Sequence, residues 1–265
     1  MKFSYMLAPM EDITDNAFRT LCYNHGADLT FTELTRVEGL ARNNASTWTR
    51  LKFNDKTPTM IQLLGGKEEH FSKFLTMFKP HESFKGFNLN LGCPSPQVTA
   101  LGQGCAMIKR INKIKKITYL FKKENYPLSI KLRLGLNLNE KKNKVYLNLI
   151  NEIDAEFFIV HARYGSQSYD DLPDYSIFHE CVETGKDIIA NGSINTKEIT
   201  DQLKKVGVKG VMVGREVVKN PAIFEELKGK PKTNLEKLKE EYLQLSEKYD
   251  APFKYRKNFL KWLGK

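Results

Sequence analysis

The chain has 265 residues, of which 41% are hydrophobic, and its formal net charge is +11. No run of about 18 consecutive apolar residues occurs, which argues against a membrane-spanning helix, and the N-terminal residues lack the pattern of a secretory signal. The four cysteines form no Cys-x-x-Cys pair and no zinc-ligand spacing with histidine. We therefore expect a cytoplasmic protein with reduced thiols and no bound metal.

Eight short apolar segments follow one another along the chain, most of them ending in turn residues. In chain order they cover residues 4–10, 29–34, 58–65, 86–94, 127–135, 157–165, 187–194 and 210–217. Helical patterns separate most of them, for example over residues 15–26, 67–78, 111–124, 146–154 and 196–207. Alternating strands and helices predict a parallel sheet. Eight such units in about 220 residues predict an α/β fold of the (β/α)8 TIM barrel type. An open dinucleotide-binding sheet is less favoured, because the first strand is not followed by a Gly-x-Gly-x-x-Gly motif.

The sequence changes character after Pro221, because residues 234–250 and 253–264 have helical patterns with no strand between them. We predict a barrel domain over residues 1–229 and a short helical appendage over residues 230–265. Residues 109–123 carry seven Lys or Arg and no acid, and residues 228–265 carry eleven Lys or Arg and five acids. This charge predicts a surface for a polyanion such as nucleic acid, or, alternatively, solvated helix faces in a lysine-rich protein.

Most of the predicted strands end in a polar or otherwise unusual residue, at the edge where barrel enzymes carry their active sites. In the strand over residues 127–135, Lys131 shares one face with Arg133, and the apolar residues share the other. Lys131 would then face the barrel interior, where it must meet an anion or lose its proton; the alternative is an edge lysine that reaches solvent. His161 and Arg163 likewise lie on one face of their predicted strand and are expected to face the barrel mouth. The alternative for His161 is a core residue, because a lone histidine in a strand is often buried in the core.

The last two strands end in Asn191-Gly192 and Gly214-Arg215, each followed by a helical stretch. Loops at these two places, with helix N-terminal N–H groups, form the usual phosphate site of the barrel fold, and Arg215 adds a bidentate donor. The alternative is ordinary turn chemistry. A phosphate site together with an interior cation predicts flavin mononucleotide (FMN), because Lys131 would stabilise the negative charge of the reduced ring.

Cys93 lies in the segment Gly-Cys-Pro-Ser-Pro, at the end of the fourth predicted strand, where an inert packed cysteine is not expected. Cysteine thiols with an ordinary pKa of about 8.5 are mostly protonated at pH 7, so this one can donate a proton. Reduction of a carbon–carbon double bond requires a hydride and a proton, which a flavin and Cys93 would supply. Cys105, at an apparent helix start, is expected to pack.

Six stretches resemble the tRNA-dihydrouridine synthases, flavin-dependent barrel enzymes that reduce a uridine of tRNA with NADPH. They are APMEDITDNAFR, LNLGCPSPQV, SIKLRLG, FIVHARYGSQSY, IIANGSI and VMVGREVVKNP, in the expected order from about residue 5 to 225. The resemblance implies that flavin N5 gives a hydride to uridine C6, that Cys93 protonates C5, and that Asn90 holds the base. It implies flavin contacts from Pro9, Met10, Glu11, Gln62, Lys131, His161, Asn191, Gly192, Ser193, Gly214 and Arg215, and a substrate contact from Arg163.

The resemblance further implies FMN as cofactor, NADPH or NADH as reductant, and tRNA as partner, with a D-loop uridine as target and no obligate protein partner. Two positions depart from the family pattern, because many members have a small residue in place of Glu11 and Asp in place of Ser193. Bacterial members also carry a longer C-terminal helical domain that grips tRNA.

Two alternatives stay open at this point: an FMN-dependent barrel oxidoreductase of a small molecule, similar to dihydroorotate dehydrogenase, and a tRNA-binding or tRNA-folding helper. A tRNA-binding assay separates the first from a tRNA-modifying enzyme, and a flavin-free variant with normal effects on tRNA would support the second.

Overall fold

A computed structural model describes residues 2–265 and contains one barrel of parallel strands. The strands are β1 (Ser4–Leu7), β2 (Thr30–Phe31), β3 (Thr35–Arg36), β4 (Thr59–Leu64), β5 (Phe84–Leu91), β6 (Leu128–Arg133), β7 (Phe158–His161), β8 (Ile188–Asn191) and β9 (Gly210–Val213). Their order is β1-β9-β8-β7-β6-β5-β4-β2, with β3 also beside β4. A parallel bridge between Met6 and Leu29 joins β1 to the start of the second strand segment and closes the ring. The predicted TIM barrel is confirmed.

Helices connect the strands and cover the outside of the barrel. They are α1 (Asn16–Asn24), α2 (Val37–Ala41), α3 (Ala45–Thr49), α4 (Glu68–Met77), α5 (Pro96–Thr99), α6 (Ile111–Lys123), α7 (Leu138–Lys142), α8 (Val145–Glu152), α9 (Ile177–Glu183), α10 (Lys197–Val206), α11 (Arg215–Lys219), α12 (Ile223–Leu227), α13 (Leu235–Lys248) and α14 (Phe253–Trp262). Local capping explains several of their starts: the Asp15 side chain accepts the N–H of Phe18, and the Thr196 side chain accepts the N–H of Ile199. Among residues 2–265, no helix is long and apolar enough to cross a membrane.

The second predicted strand differs from the expectation of one continuous element over residues 29–34. The structure divides it into β2 and β3, which leave residues 32–34 between them. The hydroxyls of Thr32 and Thr35 both donate to the carbonyl of Glu33, and the Glu33 carboxylate accepts a hydrogen bond from the Tyr255 hydroxyl. The Thr32 N–H still donates to the Met60 carbonyl at 2.9 Å, so the regular ladder with β4 is interrupted only after residue 32.

The barrel interior is apolar at one level and becomes polar towards the C-terminal ends of β4 to β8. One cluster of buried residues fills it: Met6, Ala8, Phe31, Met60, Phe157, Ile159, Ile189 and Met212. Two residues further along β4 lies Gln62, whose Nε2 donates to Asn88 Oδ1 at 2.7 Å, while Asn90 Nδ2 donates to Gln62 Oε1 at 2.9 Å. This chain of amides satisfies the buried polar groups and forms the floor beneath the C-terminal ends of the strands.

Helices α13 and α14 pack on α1 and share a hydrophobic core with it. The ring of Phe259 lies 4.2 Å from Tyr242 and 5.1 Å from Phe18, measured between centroids. The predicted boundary at residues 229 and 230 falls between α12 and α13. The division into two domains stays a prediction, and the shared core makes residues 230–265 an extension built onto the barrel.

Candidate active site

The strand register brings predicted site residues side by side at the C-terminal edge of the barrel. Asn90 pairs with Lys131, Arg133 pairs with His161, and His161 pairs with Asn191. A cavity of about 390 Å³ opens there. Its lining residues are Pro9, Met10, Glu11, Leu34, Gln62, Asn90, Gly92, Cys93, Pro94, Lys131, Arg133, His161 and Tyr169. This active-site cavity is therefore built from residues far apart in the sequence.

Cys93 stands on a backbone corner that neighbouring groups hold in place. The Asn90 carboxamide oxygen accepts the N–H groups of Gly92 at 3.0 Å and Cys93 at 2.9 Å, and so ends β5. The Cys93 carbonyl accepts the N–H of Cys105 at 3.0 Å. Gly104 has a φ of +56°, and a Cβ there would lie 2.5 Å from the Cys93 carbonyl oxygen, so glycine is required. The Cys93 side chain remains partly exposed at the cavity.

Cys105 has a different environment from Cys93. It is fully buried, and its thiol donates to the Gly92 carbonyl at 3.1 Å. Burial raises the pKa of this thiol to about 12. The expectation that Cys105 packs agrees with this position, and Cys93 is the thiol that reaches the cavity.

Lys131 lies inside the barrel and has no carboxylate as its hydrogen-bond partner. Its Nζ donates to Asn191 Oδ1 at 3.0 Å, and Asn191 Nδ2 donates to the Met212 carbonyl at 2.8 Å, which fixes the amide. Burial, with a smaller contribution from the Arg133 guanidinium, lowers the pKa of Lys131 to about 8. An anionic ligand in the cavity would raise this pKa again.

His161 is 7% exposed, and its Nδ1 has no hydrogen-bond partner among residues 2–265. Burial, followed by the charges of Lys131, Arg133, Arg163 and Arg215, lowers the pKa of His161 far below its ordinary range. The imidazole is therefore neutral at pH 7. The cations around it make this part of the barrel mouth a site for an anionic ligand.

The two loops that are predicted to bind phosphate follow β8 and β9, and their binding of phosphate stays a prediction. Gly192 has a φ of +120°, and a Cβ there would lie 3.4 Å from the Ala162 nitrogen and 3.5 Å from the His161 ring. The hydroxyl of Ser193 accepts from Arg163 Nη2 at 2.9 Å and from Arg215 Nη2 at 3.5 Å. Gly214 directly precedes α11, whose first residue is Arg215. These two loops thus lie close together and carry positive charge.

Arg163 is held in the loop after β7, and its expected contact with a substrate stays a prediction. Its side chain is buried, and the guanidinium donates to the carbonyls of Asp171 at 2.7 Å and Tyr169 at 3.2 Å, besides Ser193. Strand β7 ends at His161, and the Arg163 N–H turns back to the His161 carbonyl, so the alternation of side chains no longer applies at residue 163. Its Nη1 has no partner within residues 2–265. The position suits an arginine that holds the loop after β7.

Tyr169 is a site residue that the sequence reasoning missed. Its ring lies 4.1 Å from the Arg215 guanidinium carbon and 5.6 Å from that of Arg133, and it lines the cavity. Cation–π contacts of this kind hold an exposed ring in place. Leu34 also lines the cavity, because the chain leaves the sheet after β2. Neither position has a local sequence signal, since both depend on how loops fold back over the barrel.

The residues present fit a phosphorylated flavin. Among residues 2–265, buried nitrogens of His161 and Arg163 lack partners and Lys131 has no carboxylate as partner. Arg215, between the two loops, contacts Tyr169 at the cavity. An anionic ligand with a flat ring and a phosphate would satisfy these groups. Within the described chain, no group of three or more His, Cys, Asp or Glu side chains is arranged to hold a metal ion.

Comparison with known proteins gives consistent findings. A sequence model of the dihydrouridine synthase (Dus) family matches residues 6–260. A probable tRNA-dihydrouridine synthase of Staphylococcus epidermidis is 31% identical over 97% of this chain and 83% of its own. The probable tRNA-dihydrouridine synthase 2 of Bacillus subtilis is 30% identical over 84% of this chain and 71% of its own. The structure of morphinone reductase in complex with tetrahydroNAD has a TM-score of 0.55 at 10% identity, over 87% of this chain and 88% of that one, and shows likeness of fold alone.

Proposed function

The chain belongs to the dihydrouridine synthase family, and on that premise we propose that the protein reduces a uridine of tRNA to 5,6-dihydrouridine. One structural observation supports the proposal in addition to family membership. A partly exposed thiol, Cys93, stands on a fixed corner in the same cavity that Lys131 and His161 line. This arrangement supports a proton donor and a binding site for a redox anion within one cavity.

We propose FMN as the bound cofactor. Gln62, Lys131 and His161 would bind its ring, with Pro9, Met10 and Glu11 along one edge. The loops at Gly192-Ser193 and Gly214-Arg215 would bind its phosphate. When bound and reduced by NADPH or NADH, FMN supplies the hydride that uracil C6 receives. The neutral His161 Nδ1 and the charged Lys131 supply polar partners to the ring.

Cys93 supplies the second hydrogen of the reduction. Its Sγ–H bond breaks as a C–H bond forms at uracil C5, and the resulting thiolate takes a proton from solvent before the next turnover. Asn90 orients this donor, because its carboxamide oxygen binds the N–H groups of Gly92 and Cys93. The other end of the same amide is bonded to Gln62 at 2.9 Å. In the proposed complex the Asn90 side chain also lies against the target base.

The partner is tRNA in the cytoplasm, and the target uridine, expected in the D-loop, must leave its stack to enter the cavity. The formal charge of +11 and the lysine-rich segments over residues 109–123 and 228–265 support binding to the phosphate backbone. Binding of this kind releases counterions, so the affinity for tRNA falls steeply as salt increases.

A direct experiment uses tRNA from cells that lack the gene. The purified protein, FMN and NADPH should convert one uridine to a product heavier by two hydrogens, located by mass spectrometry of nuclease fragments. Cys93→Ala should retain the flavin absorbance and lose the product. Normal turnover by this variant would refute the role of Cys93. Failure of the wild-type protein to modify any tRNA, together with oxidation of dihydroorotate, would favour the small-molecule alternative.

A further inference from the structure

A second cavity, of about 470 Å³, lies next to the active-site cavity. It is lined by Met10, Ile13, Arg215, Val218, Lys219 and Trp262, and we call it the Trp262 cavity. Met10 also lines the active-site cavity, and Arg215 contacts Tyr169, which lines it as well. The two cavities are therefore neighbours. The proposed flavin contacts leave Ile13, Val218, Lys219 and Trp262 without a role.

The position of Trp262 is fixed by contacts along α14. Asn258, one turn earlier on the same face, donates through Nδ2 to the Asp12 carbonyl at 3.3 Å. Just past the helix, the N–H of Gly264 donates to the Lys219 carbonyl at 2.8 Å. The helix is thereby attached to the loop after β1 at one point and to α11 at the other. Trp262 lies between these two attachments and forms a wall of the cavity.

The cavity combines an apolar lining with a cationic rim. Trp262 is 48% exposed, and the Nζ atoms of Lys261 and Lys265 lie 5.4 Å and 5.7 Å from the centre of its ring. Residues 253–265 contain five Lys or Arg and no acid. A flat, partly exposed aromatic ring beside several cations is the combination that binds a base together with its flanking phosphates.

We propose that the Trp262 cavity binds the base of a tRNA nucleotide adjacent to the uridine that enters the active-site cavity, an inference that rests on the proposed function. The base stacks on Trp262, and Lys219 and Lys261 bind the phosphates beside it. A nicotinamide cofactor also carries a base, but it has too few phosphates to contact all the cations of α14. The cations spread along α14 match the longer backbone of an RNA strand.

Steady-state kinetics with tRNA from cells that lack the gene test this assignment. Trp262→Ala should raise KM for tRNA about tenfold and leave the flavin content and KM for NADPH unchanged. Trp262→Phe, which keeps an aromatic face, should restore most of the loss. Phe253→Ala is the matched control, because Phe253 lies on the same helix and is 73% exposed away from the cavity. Equal losses in the Trp262 and Phe253 variants would overturn the proposal, as would a change in KM for NADPH alone.

Fluorescence reports stacking without reference to turnover. The chain has two tryptophans, and Trp48 is removed by Trp48→Phe to leave Trp262 as the reporter. Addition of tRNA should quench its emission, and NADP⁺ alone should not. Binding of tRNA in a filter assay with no change in emission would overturn the cavity assignment and leave the proposed function standing. Quenching by NADP⁺ would assign the cavity to the reductant. A wild-type protein that makes no dihydrouridine would overturn the proposed function itself, and the inference with it.

Discussion

Replacement of Lys131 by methionine should stabilise the flavin-free protein while it abolishes flavin binding. The Lys131 ammonium lies inside the barrel with Asn191 Oδ1 as its hydrogen-bond acceptor and Arg133 on the same strand. Its pKa is lowered from 10.5 to about 8, which corresponds to about 3 kcal/mol of unfavourable free energy in the charged form. Because the side chain is partly exposed at the cavity, we reduce this to about 2 kcal/mol.

The pH dependence gives the sharper test. Between about pH 8 and 10.5 the unfolded chain holds the Lys131 proton and the folded chain has lost it, so the stability of the wild-type protein rises with pH across this window. Lys131→Met has no such proton. The stability difference between the two proteins should therefore be largest below pH 8 and shrink towards pH 10.

Urea unfolding of the flavin-free proteins at pH 7, 8.5 and 10 measures this difference. Lys85→Met, on β5 and exposed to solvent, is the matched control and should change stability little at any of these pH values. The reasoning would be refuted if Lys131→Met were less stable than wild type at pH 7, or if its advantage did not depend on pH. Flavin titration of the same samples should show that Lys131→Met no longer retains FMN.

Three further predictions concern neighbouring positions. Gly192→Ala places a side chain at a φ of +120° beside the His161 ring. It should therefore lower the free energy of unfolding by about 1–3 kcal/mol and weaken FMN binding in a fluorescence titration. Unchanged FMN affinity would contradict the proposed phosphate loop. Asp15→Asn should keep the helix cap and stabilise the protein by about 3 kcal/mol at pH 7, because burial raises the pKa of Asp15 from 3.8 to about 6. This gain, measured by urea unfolding, should disappear as the pH falls from about 6 to about 4, and a gain independent of pH would be inconsistent with this cause. Arg163→Met should make the loop containing Tyr169 sensitive to proteolysis and weaken FMN binding about tenfold. If Arg163 instead contacts tRNA directly, the same variant should raise KM for tRNA at saturating FMN.

Residues at strand ends could be located from the sequence because two simple rules act together. Alternation along a strand places Lys131 and Arg133 inside the barrel, and the register of parallel strands places Asn90 beside Lys131 and His161 beside Asn191. Both rules hold as long as the chain stays in the sheet. The predicted position of Lys131 at the cavity therefore agrees with the structure. Cys93 lies two residues beyond β5, so its place at the same cavity depends on the Asn90 hydrogen bond and not on alternation. The chemical roles of both residues remain proposals.

The same rules fail where the chain leaves the sheet. Arg163 lies two residues beyond β7, after a tight backbone turn, and the alternation that predicted its direction no longer applies. Leu34 lines the cavity because side-chain hydrogen bonds interrupt the second strand. Tyr169 and Trp262 depend on longer-range contacts: a loop fixed by Arg163, and a terminal helix that returns to the loop after β1. Such contacts leave no local pattern in the sequence.

The active-site cavity and the appendage are coupled through the loop after β1. Met10 and Glu11 line the cavity on one side of this loop, and the Asp12 that follows them binds Lys254 and Asn258 of α14. A shift of α14 on RNA binding would therefore be transmitted through Asp12 to the residues proposed to border the flavin. We therefore propose that α14 both contacts tRNA and supports the loop that would border the cofactor.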